Sequence, residues 1–141
     1  MKLLTNLQRK HLKLNGRMNA ERIEENGETF NFCPVVKLFA PWGAATWLLT
    51  ELDPEDDDIA FGLCDLGMGS PELGTVRLSE LESVRGPAGL RIERDRHFKG
   101  EHWLWVYARA AAVAGRITED AHALEAARAQ VMNDLKKEAR A

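Results

Sequence analysis

Two short runs of β-branched, aromatic and aliphatic residues, 35–39 and 46–52, flank the hexapeptide APWGAA in the first half of the chain. Residues of these types favour strands. Between the runs, Pro41 and Gly43 supply the fixed and the permissive φ that a tight turn needs. The pattern predicts a β-hairpin with a loop of four or five residues. Any fold of this chain must therefore contain an antiparallel strand pair that turns near Gly43.

Further strands are predicted downstream of the hairpin. The segment IAFGLCDL, residues 59–66, reads as a third strand, and a shorter one is expected around residues 75–78 after a glycine-rich loop. In LRIER, Leu90 and Ile92 alternate with charged residues, which is typical of a half-buried edge strand. These segments extend the hairpin to an antiparallel sheet of four to five strands.

An N-terminal helix is predicted before the sheet. Thr5 and Gln8 have the spacing of a capping box, and leucines follow at roughly helical intervals. The dipeptide Asn15-Gly16 is a helix stop signal. Residues 17–31, which contain a second Asn-Gly pair, are therefore expected to form a loop.

The C-terminal third is predicted to be helical. The run EHWLWVYARAAAVAG ends at Gly115, and another helix is expected from a Thr118 cap to about Glu138. A short helix is expected to open with Ser79 and Glu82 as a second capping box. The fold class is therefore α+β: a small antiparallel sheet of four to five strands, with an N-terminal helix and two C-terminal helices.

Length and composition bound the class of protein. A chain of 141 residues is most simply one domain. We assign the compact α+β domain to residues 1–116, and we expect residues 117–141 to form a helix that packs on it or serves self-association. No segment approaches the ~20 apolar residues of a membrane span. Cys33 and Cys64 lack CxxC spacing, which indicates reduced thiols in a cytoplasmic protein.

Charge is distributed unevenly along the chain, although the formal net charge is only −3. Residues 1–20 contain five Lys and Arg and no acids, whereas residues 21–72 contain twelve acids and only two basic residues. Residues 73–116 again have more basic than acidic groups. Such segregation can steer a charged partner but does not determine the fold.

The run DPEDDD, residues 53–58, is the most conspicuous candidate site. Its carboxylates could bind Ca²⁺ or Mg²⁺, but the run lacks the glycine and the alternating spacing of a calcium loop. We interpret it as a solvated acidic loop at the mouth of a hairpin, and we expect neither a metal nor a cofactor. The loop can still contact a basic partner. The candidate protein-binding residues are Trp42, Asp56, Asp57 and Asp58.

Two basic clusters offer an alternative surface. The first is carried by the N-terminal helix, and the second lies beside Phe98 and the tryptophans that follow it. Basic side chains contact phosphates, and neighbouring aromatic rings can stack on single-stranded bases. Both features also have a purely structural interpretation. The first cluster is typical of the solvated face of a helix, and the aromatic residues are typical of a hydrophobic core. The candidate nucleic-acid-binding residues are Lys10, Lys13, Arg17, Arg91, Arg94, Arg96 and Lys99.

Lys37 is a polar residue inside the apolar strand VVKLF. If the hairpin closes at Gly43, Lys37 and Glu51 are expected to pair across the two strands; the other interpretation places Lys37 on a binding surface. An enzyme would instead require a pocket in which polar groups such as Lys37, Glu51, Asp65 and Arg94 converge.

Three longer segments resemble a known protein family. They are PVVKLFAPWGAATWLLTELDPEDDDIAFGLCDLG, PELGTVRLSEL and RGPAGLRIERDRHF. From about Leu3 to Phe98 the chain resembles domain-of-unknown-function family 2958. The resemblance implies a small bacterial cytoplasmic protein of plasmids and other mobile elements, often encoded among DNA-handling and host-defence-evasion genes. It brings no established catalytic residues. The HWLWVY run and the helix after Gly115 depart from the family pattern.

The leading hypothesis is a non-enzymatic protein-interaction module of a bacterial mobile element. In one version it inhibits a host defence complex, because acids of the loop mimic nucleic-acid phosphates and occupy a basic surface. The alternative is a nucleic-acid-binding accessory factor in plasmid conjugation or replication, acting through the basic clusters. No membrane association is expected, and the oligomeric state is expected to be a monomer or a weak homodimer through the C-terminal helix.

Overall fold

The computed structural model describes residues 2–140 and has one five-stranded antiparallel sheet in the order β4-β3-β2-β1-β5. The strands are β1 (Val36–Phe39), β2 (Thr46–Leu52), β3 (Ile59–Asp65), β4 (Glu72–Arg77) and β5 (Glu93–Arg94). The helices are α1 (Asn6–Asn26), α2 (Leu78–Ser83), α3 (Leu104–Ala114) and α4 (Ala121–Arg140), with a 3₁₀ turn at Pro87–Gly89. The predicted α+β class is confirmed. Met1 and Ala141, the end residues of the two predicted units, lie outside the described range.

The β1–β2 hairpin has the predicted loop. Its last strand pair is Phe39 opposite Thr46, and the N–H of Ala40 donates to the carbonyl of Ala45 over 3.0 Å. That bond encloses four residues, 41–44. The turn also approaches another part of the chain closely, since a Cβ placed on Gly86 would lie 2.4 Å from the Trp42 ring. Only glycine fits there.

Side chains of the central strands alternate between two cores on opposite sides of the sheet. One core contains Val36, Leu38 and Leu49 and is covered by α1 and α2. The other contains Leu48 and Leu63 and is covered by α3 and α4. The period of two along each strand separates the two sets. The sheet is therefore the middle layer between two helical layers.

α1 extends ten residues beyond its predicted end. The capping box of Thr5 and Gln8 is confirmed by hydrogen bonds of 2.9 and 3.0 Å, but the helix passes through Asn15-Gly16 and ends at Gly27, which has a φ of +73°. The loop predicted for residues 17–31 is therefore wrong for residues 17–26. Tertiary contacts explain the error, because Asn15 and Gly16 are buried against β2 instead of ending the helix.

Asn15 and Gly16 contact the part of β2 that lies beyond Leu49. β1 pairs with β2 only over residues 46–49. Past that point the Asn15 amide donates to the Thr50 carbonyl over 2.9 Å. A Cβ on Gly16 would lie 1.8 Å from the Leu52 carbonyl oxygen. α1 therefore packs directly against the β2 backbone in the stretch that is not paired with β1.

Shorter elements also differ from the predictions. The predicted Ser79–Glu82 capping box is wrong, because Arg77 precedes the helix without a side-chain cap and Ser79 bonds instead to Asp58. The LRIER edge strand is reduced to the two residues of β5, since the 3₁₀ turn occupies the chain just before it. β4 starts and ends earlier than predicted, and Leu78 opens α2.

α4 packs along α3. Its buried residues Leu124, Ala127 and Val131 join the second core with Val106 and Ala110. Its predicted Thr118 cap is wrong, because the Asp120 carboxylate accepts from the N–H of Ala123 over 2.9 Å, while Thr118 accepts from the N–H of Asp120. Self-association through α4 stays a prediction.

Candidate functional site

A pocket of about 300 Å³ opens between the C-terminal half of α1, the loop that follows it and the ends of β2, β3 and β4. The first residues of α3, Leu104 and Trp105, complete the wall. The pocket depends on the unpredicted extension of α1, which contributes Asn19, Ala20 and Ile23. Its lining combines aromatic and aliphatic side chains with a few polar groups, the composition typical of small binding sites.

Glu51 is one of two carboxylates that line this pocket, with Asp53, and Asn19 holds Glu51 in position. The Asn19 amide nitrogen donates to Glu51 Oε1 over 2.7 Å, and the Asn19 carbonyl oxygen accepts from the N–H of Phe30, also over 2.7 Å. Asn19 is only 3% exposed. Burial raises the pKa of Glu51 above its ordinary value, although hydrogen bonds from Asn19 and Thr50 act in the opposite direction. A fixed, partly desolvated carboxylate is a feature of binding sites.

The rim of the pocket is apolar and exposed. Four large side chains line it while keeping much of their surface in solvent: Ile23 (51% exposed), Phe30 (39%), Leu73 (44%) and Trp105 (43%). We call these four residues the pocket rim. Leu73 and Trp105 also border a second depression, of about 380 Å³, between α3 and α4. Contiguous apolar surface of this kind is typical of interaction sites.

β4 adds an open sheet edge beside the pocket. Within residues 2–140, β4 pairs with β3 on one side only. The N–H of Leu78 donates to the Asp58 carbonyl, and antiparallel alternation from that bond turns the backbone groups of Leu73, Thr75 and Arg77 away from β3. Because Leu73 and Thr75 also line the pocket, a strand added to this edge would lie directly beside it.

The predicted acidic loop is tied to the fold by several of its carboxylates. Asp58 accepts from the hydroxyl and the N–H of Ser79 over 2.7 and 2.9 Å. Arg77 lies 3.2 Å from Asp56 and 3.6 Å from Asp58. The Ser79 hydrogen bond is the main reason why the pKa of Asp58 lies below its ordinary value. Both carboxylates thus brace the start of α2.

Asp57 joins the acidic loop to the basic helix. Its side chain is 60% exposed and lies 3.6 Å from the ammonium of Lys13. Lys10, Lys13 and Arg17 border one surface depression together with Asp53. The acidic surface and the first basic cluster, predicted as rival binding surfaces, are therefore neighbours that partly neutralise each other.

The remaining predicted binding residues are dispersed. Arg94 donates to the carbonyls of Lys2 and Leu3, each over 3.0 Å, and so holds the N-terminal segment against β5. Arg91, Arg96 and Lys99 are exposed. Trp42 is half-buried against the first core.

The predicted pair of Lys37 and Glu51 is wrong. The hairpin register places Lys37 opposite Leu48, and Glu51 lies beyond both the end of β1 and a bulge in β2. Lys37 instead contacts Glu119 at 2.6 Å and Asp95 at 3.5 Å. It therefore ties β1 to the chain that follows β5 and to the segment before α4.

The four polar groups named for an enzyme site lie in separate places. Lys37, Glu51 and Arg94 have the different partners described above. Asp65 is buried and accepts from the N–H groups of Gly67 and Ile117 over 2.8 and 3.0 Å. It anchors the α3–α4 connection to the end of β3.

The rest of the described chain, residues 2–140, offers neither a metal cluster nor a reactive thiol. In that range no group of three or more His, Cys, Asp or Glu side chains is arranged to hold a metal ion, and no helix has the length and apolarity needed to cross a bilayer. Cys33 and Cys64 are free and half-buried, and burial raises the pKa of both thiols. Such thiols are weak nucleophiles.

The pocket was not predicted from the sequence, because the predicted α1 ends at Asn15-Gly16 and the residues that line the pocket begin at that point. A usable signal was present, since Leu12, Asn15, Gly16 and Asn19 continue the spacing of one helical face. The rim was missed for a different reason. Phe30, Leu73 and Trp105 come from three distant parts of the chain, and only the folded sheet brings them together.

The fold and pocket define a small three-layer α+β protein with an apolar recess beside an open strand edge. By sequence, the chain belongs to the family described as "Protein of unknown function (DUF2958)", which matches residues 3–118. The match runs past Phe98 and includes all of α3, whereas α4 lies beyond it. No curated protein and no solved structure matches the chain.

Proposed function

We propose that this protein is a non-enzymatic protein-interaction module of a bacterial mobile element and that it acts in the cytoplasm. The observation that supports the interaction role is the pocket rim, four exposed apolar side chains around one recess beside the open edge of β4. Large apolar groups of a monomer are costly to leave in water, and a strand edge offers unpaired hydrogen-bonding groups. A partner protein would cover both.

The mobile-element context comes from the family resemblance, as does the idea that the partner is a host defence complex. In that version the acidic loop would mimic nucleic-acid phosphates. Two Asx turns support a preorganised loop, because Asp53 accepts from the N–H of Glu55 and Asp56 from that of Asp58. Asp57 is the residue to test, since Asp56 and Asp58 brace α2 and their replacement would also perturb the fold.

The test is a pull-down with tagged protein from a host lysate, run with and without nuclease. We expect a stoichiometric protein partner that survives nuclease and that is lost when Leu73 on the rim is replaced by Ser. The matched control is Val113→Ser, because Val113 is an exposed apolar residue (79%) of α3 outside the pocket. Equal capture by both variants would contradict docking at the rim.

The nucleic-acid alternative has one supporting observation, the depression of about 610 Å³ bordered by Lys10, Lys13 and Arg17. Asp53 borders the same depression and opposes phosphate binding. Loss of all captured protein after nuclease, together with binding that weakens steeply with salt, would favour this alternative. Replacing Lys10 and Arg17 by Glu would then abolish binding.

A further inference from the structure

We propose that the pocket beside Glu51 binds one organic cation, an ammonium or guanidinium group on an apolar stem, presented as a side chain of the partner protein. This inference deepens the function proposed above and rests on it. It specifies what the partner must contribute at the recess, a lysine or an arginine, and which residue of this chain receives it.

The charge of the lining favours a cation. The described lining residues include two carboxylates, Glu51 and Asp53, and no Lys, Arg or His. A recess lined by charge of one sign and by apolar, low-dielectric walls focuses the field of its carboxylates. An anionic group would meet two like charges there. A neutral apolar group would leave the Glu51 carboxylate partly desolvated without a counter-charge.

The aromatic composition points to the same class of ligand. Phe30, Phe32, Phe61 and Trp105 line the pocket, and ring faces attract cations. The Arg22 guanidinium already lies 4.5 Å from the centroid of the Phe30 ring, so this ring accepts a cation within the chain itself. Arg22 is not one of the described residues that line the pocket, so its guanidinium does not take up the recess volume of about 300 Å³.

Glu51 can receive this cation without rearrangement. The hydrogen bond from Asn19 fixes Oε1, and a carboxylate accepts about four hydrogen bonds in all, so capacity remains for an ammonium or guanidinium. Asn19 is in turn fixed by the backbone of Phe30. A carboxylate held in this way loses little conformational entropy on binding.

Size and position suit a single side chain of a docked strand. A volume of about 300 Å³ is at the lower end of the ~300–1,000 Å³ typical of small-molecule sites. On β4, Leu73 and Thr75 line the pocket. A strand paired with the free edge of β4 would direct its alternate side chains to that same face. One lysine or arginine at such a position reaches the recess.

The experiment is a titration of the purified full chain followed by two-dimensional NMR at the Trp105 indole N–H. The probe is Nα-acetyl-lysine N-methylamide, which carries the ammonium on a peptide-like backbone. Its neutral counterpart is Nα-acetyl-norleucine N-methylamide, which keeps the stem and lacks the charge. We expect saturable binding of the lysine probe and at least about 10-fold weaker binding of the norleucine probe.

Two variants identify the receiving group. Glu51→Gln keeps the shape of the side chain and should weaken binding of the lysine probe at least about 10-fold. The matched control is Glu55→Gln, the same charge change on an exposed residue of the acidic loop outside the pocket. Trp105→Leu removes the indole reporter, so its titration is followed at the backbone N–H of Leu73, which also lines the pocket. The variant keeps an apolar rim and should weaken binding of the lysine probe more than binding of the norleucine probe.

Three outcomes would overturn the inference. Equal affinity for the two probes would show that the recess does not recognise the positive charge. Equal weakening by Glu51→Gln and Glu55→Gln would show that the probe responds to the overall negative charge of the acidic loop and not to Glu51. Binding of n-butylamine without binding of the blocked lysine would assign the recess to a free amine instead. None of these results depends on a partner, so they are separable from failure of the Leu73→Ser pull-down, which tests the interaction role itself.

Discussion

Asn19 and Glu51 are joined by a hydrogen bond of 2.7 Å that links α1 to the central strand β2. The same Asn19 side chain accepts from the N–H of Phe30, so one buried amide connects the helix, the strand and the loop that form three walls of the pocket. The shape of the recess therefore depends on a residue that the solvent hardly reaches.

Replacing Asn19 by Ala is expected to lower the free energy of unfolding by about 3 kcal/mol, because it removes a bond to a charged group and leaves the Phe30 N–H without its acceptor. Urea denaturation measures the change. Asn26→Ala, an exposed position at the end of the same helix, should stay within about 0.5 kcal/mol of wild type. A similar small effect at Asn19 would contradict the assigned role.

Gly16→Ala tests the close contact of α1 with β2. Alanine is the better helix former by about 1 kcal/mol, yet its Cβ would lie 1.8 Å from the Leu52 carbonyl oxygen. The helix must then move away from the strand, and we expect a net loss of about 2 kcal/mol or more. Gly43→Ala is the control, since a Cβ there meets no described atom within 4 Å. A Gly16→Ala protein that is more stable than wild type would contradict the close contact between α1 and β2.

Glu51→Gln is expected to stabilise the fold near neutral pH while weakening cation binding. Burial raises the pKa of Glu51 above its ordinary value of 4.5, so its contribution to stability is fully present below that value and is lost as pH rises through the raised pKa. The Asn19 amide donates to this carboxylate, and Asp53 is the other charged group of the lining. A neutral glutamine side chain avoids the free-energy cost of burying a charged carboxylate.

The measurement is the urea midpoint of wild type and Glu51→Gln across the acid range. The advantage of the variant should shrink on acidification and disappear below about pH 4, where both side chains are neutral. Glu55→Gln, on the exposed loop, should show no comparable trend. A variant less stable than wild type at neutral pH would show that the charged carboxylate is favourable in the fold.

Asp58→Asn is expected to destabilise the protein at neutral pH. The Ser79 hydrogen bond is the main cause that lowers the pKa of Asp58 below its ordinary value of 3.8. The carboxylate therefore contributes stability above that value, and the contribution is lost as pH falls through the lowered pKa. Thermal melts of Asp58→Asn and Asp57→Asn distinguish the structural aspartate from its exposed neighbour. Equal melting temperatures at neutral pH would contradict the bracing of α2.

The strands and the hairpin could be predicted because their signals are local. Pro41, Gly43 and the flanking apolar runs act within a few residues of one another, and the observed strand pair with its four-residue loop agrees with them. The capping box at Thr5 is equally local and was found. Where a local signal competed with a distant contact, the prediction failed. Asn15-Gly16 is a stop signal in isolation, but in the folded protein both residues pack against β2 within a continuous helix.

The sequence by itself determined the α+β class, the hairpin, the apolar periodicities of the strands and the family, since each depends on neighbouring residues or on their order. Only the tertiary structure decided the length of α1, the partners of Lys37 and the pocket. Asn19, Glu51, Phe30 and Trp105 meet there from four separate segments. Such contacts depend on the packing of helices on a sheet, whose three-dimensional distances are not encoded in any local spacing along the chain.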